Sequence, residues 1–165
     1  FRAVALRYFN VSGADPEGRA GQSGPESTHL IRTAIEVALG KRARLEVFGT
    51  DYPTRDGTCE RDYIHVSDLA EAHVAALDYL EAGGAPVTLN CGYGRGFTVR
   101  EVVAALEAVT GRPLPHADAP RRAGDPARLV ADPSRLLTTL SWQPSRADLS
   151  GILQSALAWQ SQSGA

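Results

Sequence analysis

The sequence predicts an α/β fold in which parallel strands alternate with helices through right-handed crossovers. The apolar run at Ala3–Leu6 has no polar alternation, which is typical of a strand buried on both faces, and Pro86–Cys91 predicts another buried strand. Stretches with apolar residues at helical spacing follow the strand-like segments. At 165 residues the chain is of a size for one domain.

The first third of the chain predicts strand, loop, helix and strand. After the first apolar run, Ser12–Gly18 ends the strand, and residues 19–26 form a polar, glycine-rich loop. Loops that follow parallel strands hold the sites of α/β proteins, so we expect this loop beside a ligand. A helix should begin at Ser27 or Thr28 and stop at Gly40. Residues 45–48 alternate like a short strand, and residues 49–58 form a polar connection.

The middle third predicts a second strand–helix unit. Arg61 precedes a short buried strand at Tyr63–Val66, and Ser67 or Asp68 is positioned to cap the helix that follows. That helix should end near Gly83. The predicted strand at Pro86–Cys91 comes next.

The last third predicts three helices and an irregular loop. Glycines at 92, 94 and 96 indicate a tight turn with close backbone approach, because their spacing is not that of a dinucleotide fingerprint. Thr98 and Glu101 form a capping box for a helix that stops at Gly111. Residues 113–128 show little periodicity and predict a loop. Shorter helical patterns cover 133–140 and 149–157.

Composition excludes several classes of protein. The net charge of −2 leaves no basic stripe for nucleic acid, and no apolar run approaches the roughly 20 residues of a membrane helix. Cys59 and Cys91 are isolated, which indicates inert thiols in a reducing compartment. We therefore expect a soluble cytoplasmic protein with neither a nucleic-acid nor a membrane partner, and no metal site.

Two charged motifs could bind an anion. Arg61, at a strand edge, can present its planar donors to a phosphate or carboxylate, although a surface pair with Glu60 or Asp62 is the simpler reading. Arg121, Arg122 and Asp125 lie in the irregular loop, where an arginine could bind phosphate and the carboxylate could bind a sugar diol; the alternative is a solvated pair. Together the motifs indicate a small ligand such as a nucleoside diphosphate.

The histidines and the possible nucleophiles give weaker evidence for a functional site. His65 and His73 are predicted to be packed residues, His116 a surface residue, and His29 a neighbour of the ligand loop. No Ser/His/Asp or Cys/His set indicates nucleophilic catalysis, so no catalytic residue is assigned.

Four motifs in order resemble one family. Tyr8–Ala14, Val47–Thr58, Arg61–Val66 and Arg121–Asp125 are similar to the C-terminal half of the UDP-glucose 4-epimerase family, which are extended short-chain dehydrogenase/reductases. The resemblance covers nearly the whole chain. It implies an NAD-dependent isomerase in which the cofactor takes hydride from C4 of a UDP-sugar and returns it to the other face. It also implies the substrate-binding part of an α/β fold, with strands that complete a Rossmann-type sheet.

The resemblance also implies roles for particular residues. Phe9 would lie near the nicotinamide of NAD, and Leu129 matches a position that gates N-acetylated sugars. The residues that would contact the UDP-sugar match its sugar, diphosphate, ribose and uracil subsites: Asn10, His29, Leu30, Glu46, Val47, Phe48, Arg61, Arg122 and Asp125. Many relatives carry Asn at the position of His29.

The catalytic motifs of that family are absent from this sequence. No Tyr is followed four residues later by Lys, and no Gly-rich dinucleotide fingerprint is found. We therefore expect residues 1–165 to be the substrate-binding half of a longer chain, inactive alone. Residues 1–12 and 86–92 would be strands of the missing dinucleotide-binding domain, and the complete protein would be a homodimer. Another nucleotide-sugar epimerase or dehydratase, or a non-catalytic nucleotide-sugar binding module, are the alternatives.

Overall fold

Residues 1–24 and 28–162 are described by the structure, a computed structural model, and they form three small sheets and five helices. In chain order the elements are β1 (Val4–Arg7), β2 (Asn10–Ser12), α1 (Leu30–Ala38), β3 (Leu45–Phe48), β4 (Glu60–His65), α2 (Val66–Glu81), β5 (Val87–Asn90), β6 (Gly96–Thr98), α3 (Val99–Thr110), β7 (His116–Ala119), β8 (Arg128–Leu129), α4 (Ser134–Thr139) and α5 (Leu149–Gln162). The predicted α/β class is confirmed.

The first sheet pairs β1 with β5 in parallel, with Val4 opposite Val87 and Leu6 opposite Leu89. Both strands were predicted, but burial on both faces is not observed. Leu89 is buried, whereas Ala5 and Thr88 are exposed. The apolar side of this sheet packs with α2 and α4, and in the described part of the chain nothing covers the other side.

The second sheet is built around β4, which is nearly all buried. β2 and β8 run parallel to β4, and β6 runs antiparallel to it. The register places Asn10 opposite Tyr63 and Leu129 opposite Arg61. This sheet therefore brings three distant segments against β4, and two of them, β6 and β8, pair with it at Arg61.

The third sheet pairs β3 with β7 in parallel. The prediction of an irregular loop over 113–128 was wrong, because this segment contains all of β7 and the start of β8. His116–Ala119 has no β-branched residue that would signal a strand. Its order comes from pairing with β3, which lies about 70 residues earlier, and His116 is exposed as predicted.

Helix starts depart from the sequence prediction at two places. α2 begins at Val66, and His65 rather than Ser67 or Asp68 is its cap, accepting the Ser67 backbone N–H at Nδ1. α1 begins at Leu30 without a side-chain cap, and the predicted start at Ser27 lies outside the described residues, as do positions 25 and 26 of the predicted loop. The capping box at Thr98 is confirmed.

Two apolar clusters hold the elements together. The first joins α1, α3 and α5 around fully buried residues such as Ile35, Leu106 and Ile152. The second joins α2, β5 and α4 around Ile64, Leu89 and others. Elements of the first cluster border a cavity. Strand β4 borders it as well, although Ile64 of β4 belongs to the second cluster.

Candidate functional site

A cavity of about 1090 Å³ opens beside β4. Its lining comes from segments that are far apart in sequence: Asn10, Gln22, Ser23, Thr28, His29, Leu30, Arg32, Thr33, Arg42, Leu45, Glu46, Phe48, Cys59, Arg61, Tyr63, Val99, Arg122 and Asp125. We call Asn10, Gln22, Ser23, Thr28, His29, Leu30, Arg32 and Thr33 the loop wall. We call Glu46, Phe48, Cys59, Arg61, Tyr63, Arg122 and Asp125 the arginine wall.

The cavity brings together eight of the ten residues to which the sequence gave ligand contacts. These are Asn10, His29, Leu30, Glu46, Phe48, Arg61, Arg122 and Asp125. Val47 does not line it, because alternation along β3 turns its side chain into the core, where it is 1% exposed. Phe9 lies half-buried between β1 and β2 and is also absent from the lining, as is Leu129.

The two arginines of the arginine wall share one carboxylate. Arg122 Nε lies 2.9 Å from Asp125 Oδ2, and Arg61 Nη2 lies 3.7 Å from Asp125 Oδ1. Arg61 Nη1 also donates to the carbonyl oxygens of Glu60 (2.9 Å) and Pro126 (2.8 Å). The arrangement concentrates two cations and one anion at the mouth of the cavity, and a diphosphate fits it by charge.

The simpler reading of Arg61 as a pair with Glu60 or Asp62 is not observed. Arg61 contacts Glu60 only through the backbone, and the Glu60 carboxylate pairs with Arg55 (3.1 Å) and Arg128. Asp62 points to the opposite side of β4, as strand alternation requires.

The adjacent arginines of the loop diverge. Arg122 lies over the Phe48 ring, 4.9 Å from its centroid, on the cavity side. Arg121 lies over the Tyr52 ring at 4.1 Å and its Nε donates to Asp51 at 2.7 Å. This bond lowers the pKa of the Asp51 carboxyl. The loop therefore offers one arginine to a ligand, not two.

Asp62 anchors the segments that flank Arg61. Its 2%-exposed carboxylate accepts the backbone N–H groups of Tyr93 (3.1 Å), Gly94 (3.0 Å) and Ala131 (3.3 Å). Burial raises the pKa of Asp62, and these three hydrogen bonds oppose the shift. A Cβ on Gly92 would lie 2.7 Å from Asp62 Oδ2. The turn at glycines 92, 94 and 96 thus brings the backbone close to the Asp62 carboxylate. The close backbone approach was predicted from the sequence, but the carboxylate was not.

Lining residues that the sequence analysis missed include Arg32, Arg42 and Tyr63. Gln22 and Ser23 also border the cavity, and they lie in the polar loop that was expected beside a ligand because it follows a parallel strand. Arg32 reads as a surface charge in the helical pattern, yet it is 9% exposed and its Nε bonds Glu36 at 3.0 Å.

The other predicted residues are placed as follows. Cys59 and Cys91 are free and buried, and burial raises the pKa of Cys91 to about 12, consistent with an inert thiol. His73 was predicted to be packed but is exposed, because it lies on the outer face of α2 with its ring edge-on to Tyr8 at 6.1 Å. Among residues 1–24 and 28–162, no cluster of His, Cys, Asp and Glu could hold a metal ion.

His65 joins three elements and is 3% exposed, as predicted for a packed residue. Besides capping α2, it places Nε2 3.2 Å from Ser155 Oγ of α5, and Ser155 Oγ accepts the Ala14 N–H. The acceptor role of Nδ1 requires the neutral ring. Burial lowers the pKa of His65, opposed by the charge of Asp68.

We expect stability to fall in acid through His65. Because its pKa is lower in the folded protein than the ordinary value of about 6.5, the unfolded state binds the proton more readily. The contribution is present above about pH 6.5 and is lost as the pH falls below it, by at most about 1.4 kcal/mol per pH unit. Denaturant unfolding at pH 7.5 and pH 5.5 measures it. The His65→Gln variant should lose less stability over this interval than the unchanged protein; equal losses would contradict the prediction.

Comparisons with known proteins agree with this fold. The NAD dependent epimerase/dehydratase family model matches residues 1–92. The UDP-glucose 4-epimerase of Azospirillum brasilense is 57% identical over 159 residues, which are 96% of this chain and 46% of that protein. The crystal structure of UDP-glucose 4-epimerase from Brucella ovis in complex with NAD is 47% identical, with a TM-score of 0.91, over 96% of this chain and 49% of that one.

A second structure is similar over nearly the whole chain. The UDP-glucose-4-epimerase from Stenotrophomonas maltophila, with bound NAD and formylated UDP-arabinopyranose, has a TM-score of 0.95 at 40% identity, over 99% of this chain and 48% of that one. The chain spans about half the length of the curated relatives it matches.

The fold and the cavity define a class of protein: an α/β chain of the extended short-chain dehydrogenase/reductase type, with strands of a Rossmann-type sheet. Within that class, the chain belongs to the NAD dependent epimerase/dehydratase family. Separately, no helix in the described residues is long and apolar enough to cross a membrane.

Proposed function

We propose that this chain is the C-terminal, substrate-binding half of a UDP-sugar 4-epimerase that interconverts UDP-glucose and UDP-galactose. The observation that carries the proposal is the sharing of Asp125 by Arg61 and Arg122 at the mouth of the cavity. The identity of 57% to a UDP-glucose 4-epimerase supports it, as does the second, 53% identical, from Rhizobium meliloti.

The arginine wall would bind the nucleoside diphosphate. Arg61 and Arg122 would donate to the phosphate oxygens, and Asp125, released from them, would accept hydrogen bonds from ribose hydroxyls. Phe48 offers an aromatic face beside Arg122. Val47 can contact uracil only through its backbone, and β3 pairs on one side alone among the described strands, so its other edge has backbone groups to offer.

The loop wall would bind the sugar. Asn10 and His29 contribute polar side chains, and Leu30 begins α1 next to them. Leu129 lies in β8 opposite Arg61 and outside the lining, so acceptance of N-acetylated sugars stays open. A panel of UDP-sugars tested on the complete protein would distinguish this epimerase from one that acts on other nucleotide sugars.

NAD would be held mostly by residues beyond this chain. Phe9, beside the uncovered β1–β5 sheet, is the one residue here assigned to it. Bound NAD would supply a hydride acceptor and donor for C4 of the sugar. This chain's own residues would hold the UDP-sugar in place. Residues 1–12 and 86–92 would continue a dinucleotide-binding sheet supplied by the other half.

Oligomeric state and location stay predictions. The homodimer rests on the family resemblance. The two free, buried thiols support a reducing compartment such as the cytoplasm.

Turnover experiments test the proposal. The purified 165-residue chain should not convert UDP-galactose, because it has no Tyr-x-x-x-Lys pair, whereas a full-length protein carrying that pair upstream should. Turnover by the chain alone would contradict the division of roles. If the sequence upstream of Phe1 lacks both the pair and a dinucleotide fingerprint, the chain is a nucleotide-sugar binding module instead.

A further inference from the structure

The segment Ala14–Gly24 is an ordered loop that reaches the cavity. Ala14 and Gly21 form an antiparallel bridge, and the Asp15 N–H donates to the Ala20 carbonyl at 2.9 Å. Immediately after the bridge, Gln22 and Ser23 enter the loop wall. The path of this loop therefore decides where that side of the cavity lies.

Two side chains of α5 hold the loop at one carbonyl. Trp159 Nε1 donates to the Gln22 backbone oxygen at 3.0 Å, and Gln160 Nε2 donates to the same oxygen at 3.1 Å. Gln160 is 8% exposed. A Cβ at Gly21 would overlap the Trp159 indole, so the backbone lies flat against the ring. These contacts join residues about 137 positions apart in the chain.

The far end of the described loop is held by α1. The Arg32 guanidinium donates to the Gly24 carbonyl and to Glu36 Oε1. Arg32 borders the cavity, and it forms an ion pair with Glu36 that offsets its charge. The loop wall consequently offers mainly uncharged polar groups to a ligand, whereas the arginine wall offers cations. Hydroxyl groups suit the first wall and phosphates suit the second.

We propose that Trp159 and Gln160 are positioning residues that fix the loop wall and so determine how the hexose of a UDP-hexose is held. The inference rests on the proposed function. Its distinguishing feature is that the two walls are held by different elements. α5 and α1 hold the loop, while β4 and the 119–127 loop hold Arg61, Arg122 and Asp125. Loosening the loop should therefore weaken binding of the hexose and spare the nucleoside diphosphate.

Calorimetry on the full-length protein tests this with two ligands, UDP and UDP-glucose. Trp159→Phe keeps an aromatic ring next to Gly21 but removes the N–H donor together with part of the indole, a loss of volume that the Trp142→Phe control shares. We expect its affinity for UDP-glucose to fall roughly three- to tenfold, the effect of one hydrogen bond, with affinity for UDP changed by less than about twofold. The double variant Trp159→Phe/Gln160→Leu should lose more affinity for UDP-glucose than the single variant and should again keep its affinity for UDP.

Trp142→Phe is the matched control. Its Nε1 donates to a backbone carbonyl, that of Asp68, at 2.9 Å, away from the cavity. It should leave both affinities unchanged. Equal losses of UDP and UDP-glucose in Trp159→Phe, or no loss of either, would overturn the inference. An unchanged protein that binds neither ligand would overturn the proposed function and the inference with it. Retained UDP binding shows that a variant is folded.

Discussion

Replacing Arg61 with alanine is expected to weaken UDP binding by about 1.5–3 kcal/mol, the range for hydrogen bonds to charged groups. Arg61 is held in place before any ligand arrives, since two carbonyl oxygens and Asp125 fix its guanidinium and only 12% of its side chain is exposed. Little ordering is then required when a diphosphate binds. Arg122→Ala should cost a similar amount, and calorimetry with UDP on the full-length protein measures both.

Arg95→Ala is the control for this experiment. Arg95 is exposed and lies over an aromatic ring, that of Phe97 at 4.7 Å, as Arg122 lies over Phe48, but it is outside the cavity. Its removal should leave UDP affinity unchanged. Normal UDP binding by both Arg61→Ala and Arg122→Ala would contradict the prediction. The two arginines would then form ordinary surface ion pairs, which contribute little free energy.

Asp62→Ala is expected to lower the free energy of unfolding by about 3–5 kcal/mol. The substitution leaves one buried and two partly buried backbone N–H groups without their acceptor, and a fully buried group of this kind costs on the order of 1–3 kcal/mol. The burial cost of the carboxylate, which its raised pKa reflects, offsets part of this loss. Urea unfolding followed by circular dichroism measures the change.

Asp118→Ala provides the comparison. This carboxylate is 56% exposed and pairs with Arg100 at 3.3 Å, so its loss should change stability by no more than about 0.5 kcal/mol. If Asp62→Ala lowers the free energy of unfolding no more than Asp118→Ala does, the prediction is wrong. Water would then satisfy the three N–H groups, and the Asp62 carboxylate would not be needed for stability.

Local patterns predicted most of the secondary structure. The capping box at Thr98 and the strand at Leu45–Phe48 were predicted from neighbouring residues alone, and both are confirmed. β7 could not be predicted, because its order comes from pairing with β3 across about 70 residues. The cap of α2 was missed since histidine is not a common capping residue.

The candidate site was predictable where it depends on charged side chains. Arg61, Arg122 and Asp125 stand out in a near-neutral sequence, and the structure brings them together. Residues that act through hydrogen bonds to distant segments of the chain left no such signal. The sequence suggests Asp62 as an ion-pair partner of Arg61, but alternation along β4 places the two side chains on opposite sides of the strand. From the sequence alone, Trp159 would be taken for a core residue of α5. Their contacts depend on chain crossings that a linear pattern does not contain.

Asp125 has a consequence for ligand release. Turnover by an epimerase requires that the UDP-sugar leave as readily as it arrives, and two arginines closing on a diphosphate favour long residence. In this protein an internal carboxylate, that of Asp125, lies 2.9 Å from Arg122 and 3.7 Å from Arg61. If the arginines bind the diphosphate as proposed, Asp125 would take its place when it departs, and neither cation would be left without an anion. Under the proposed function, this exchange moderates affinity and shortens the lifetime of the product complex.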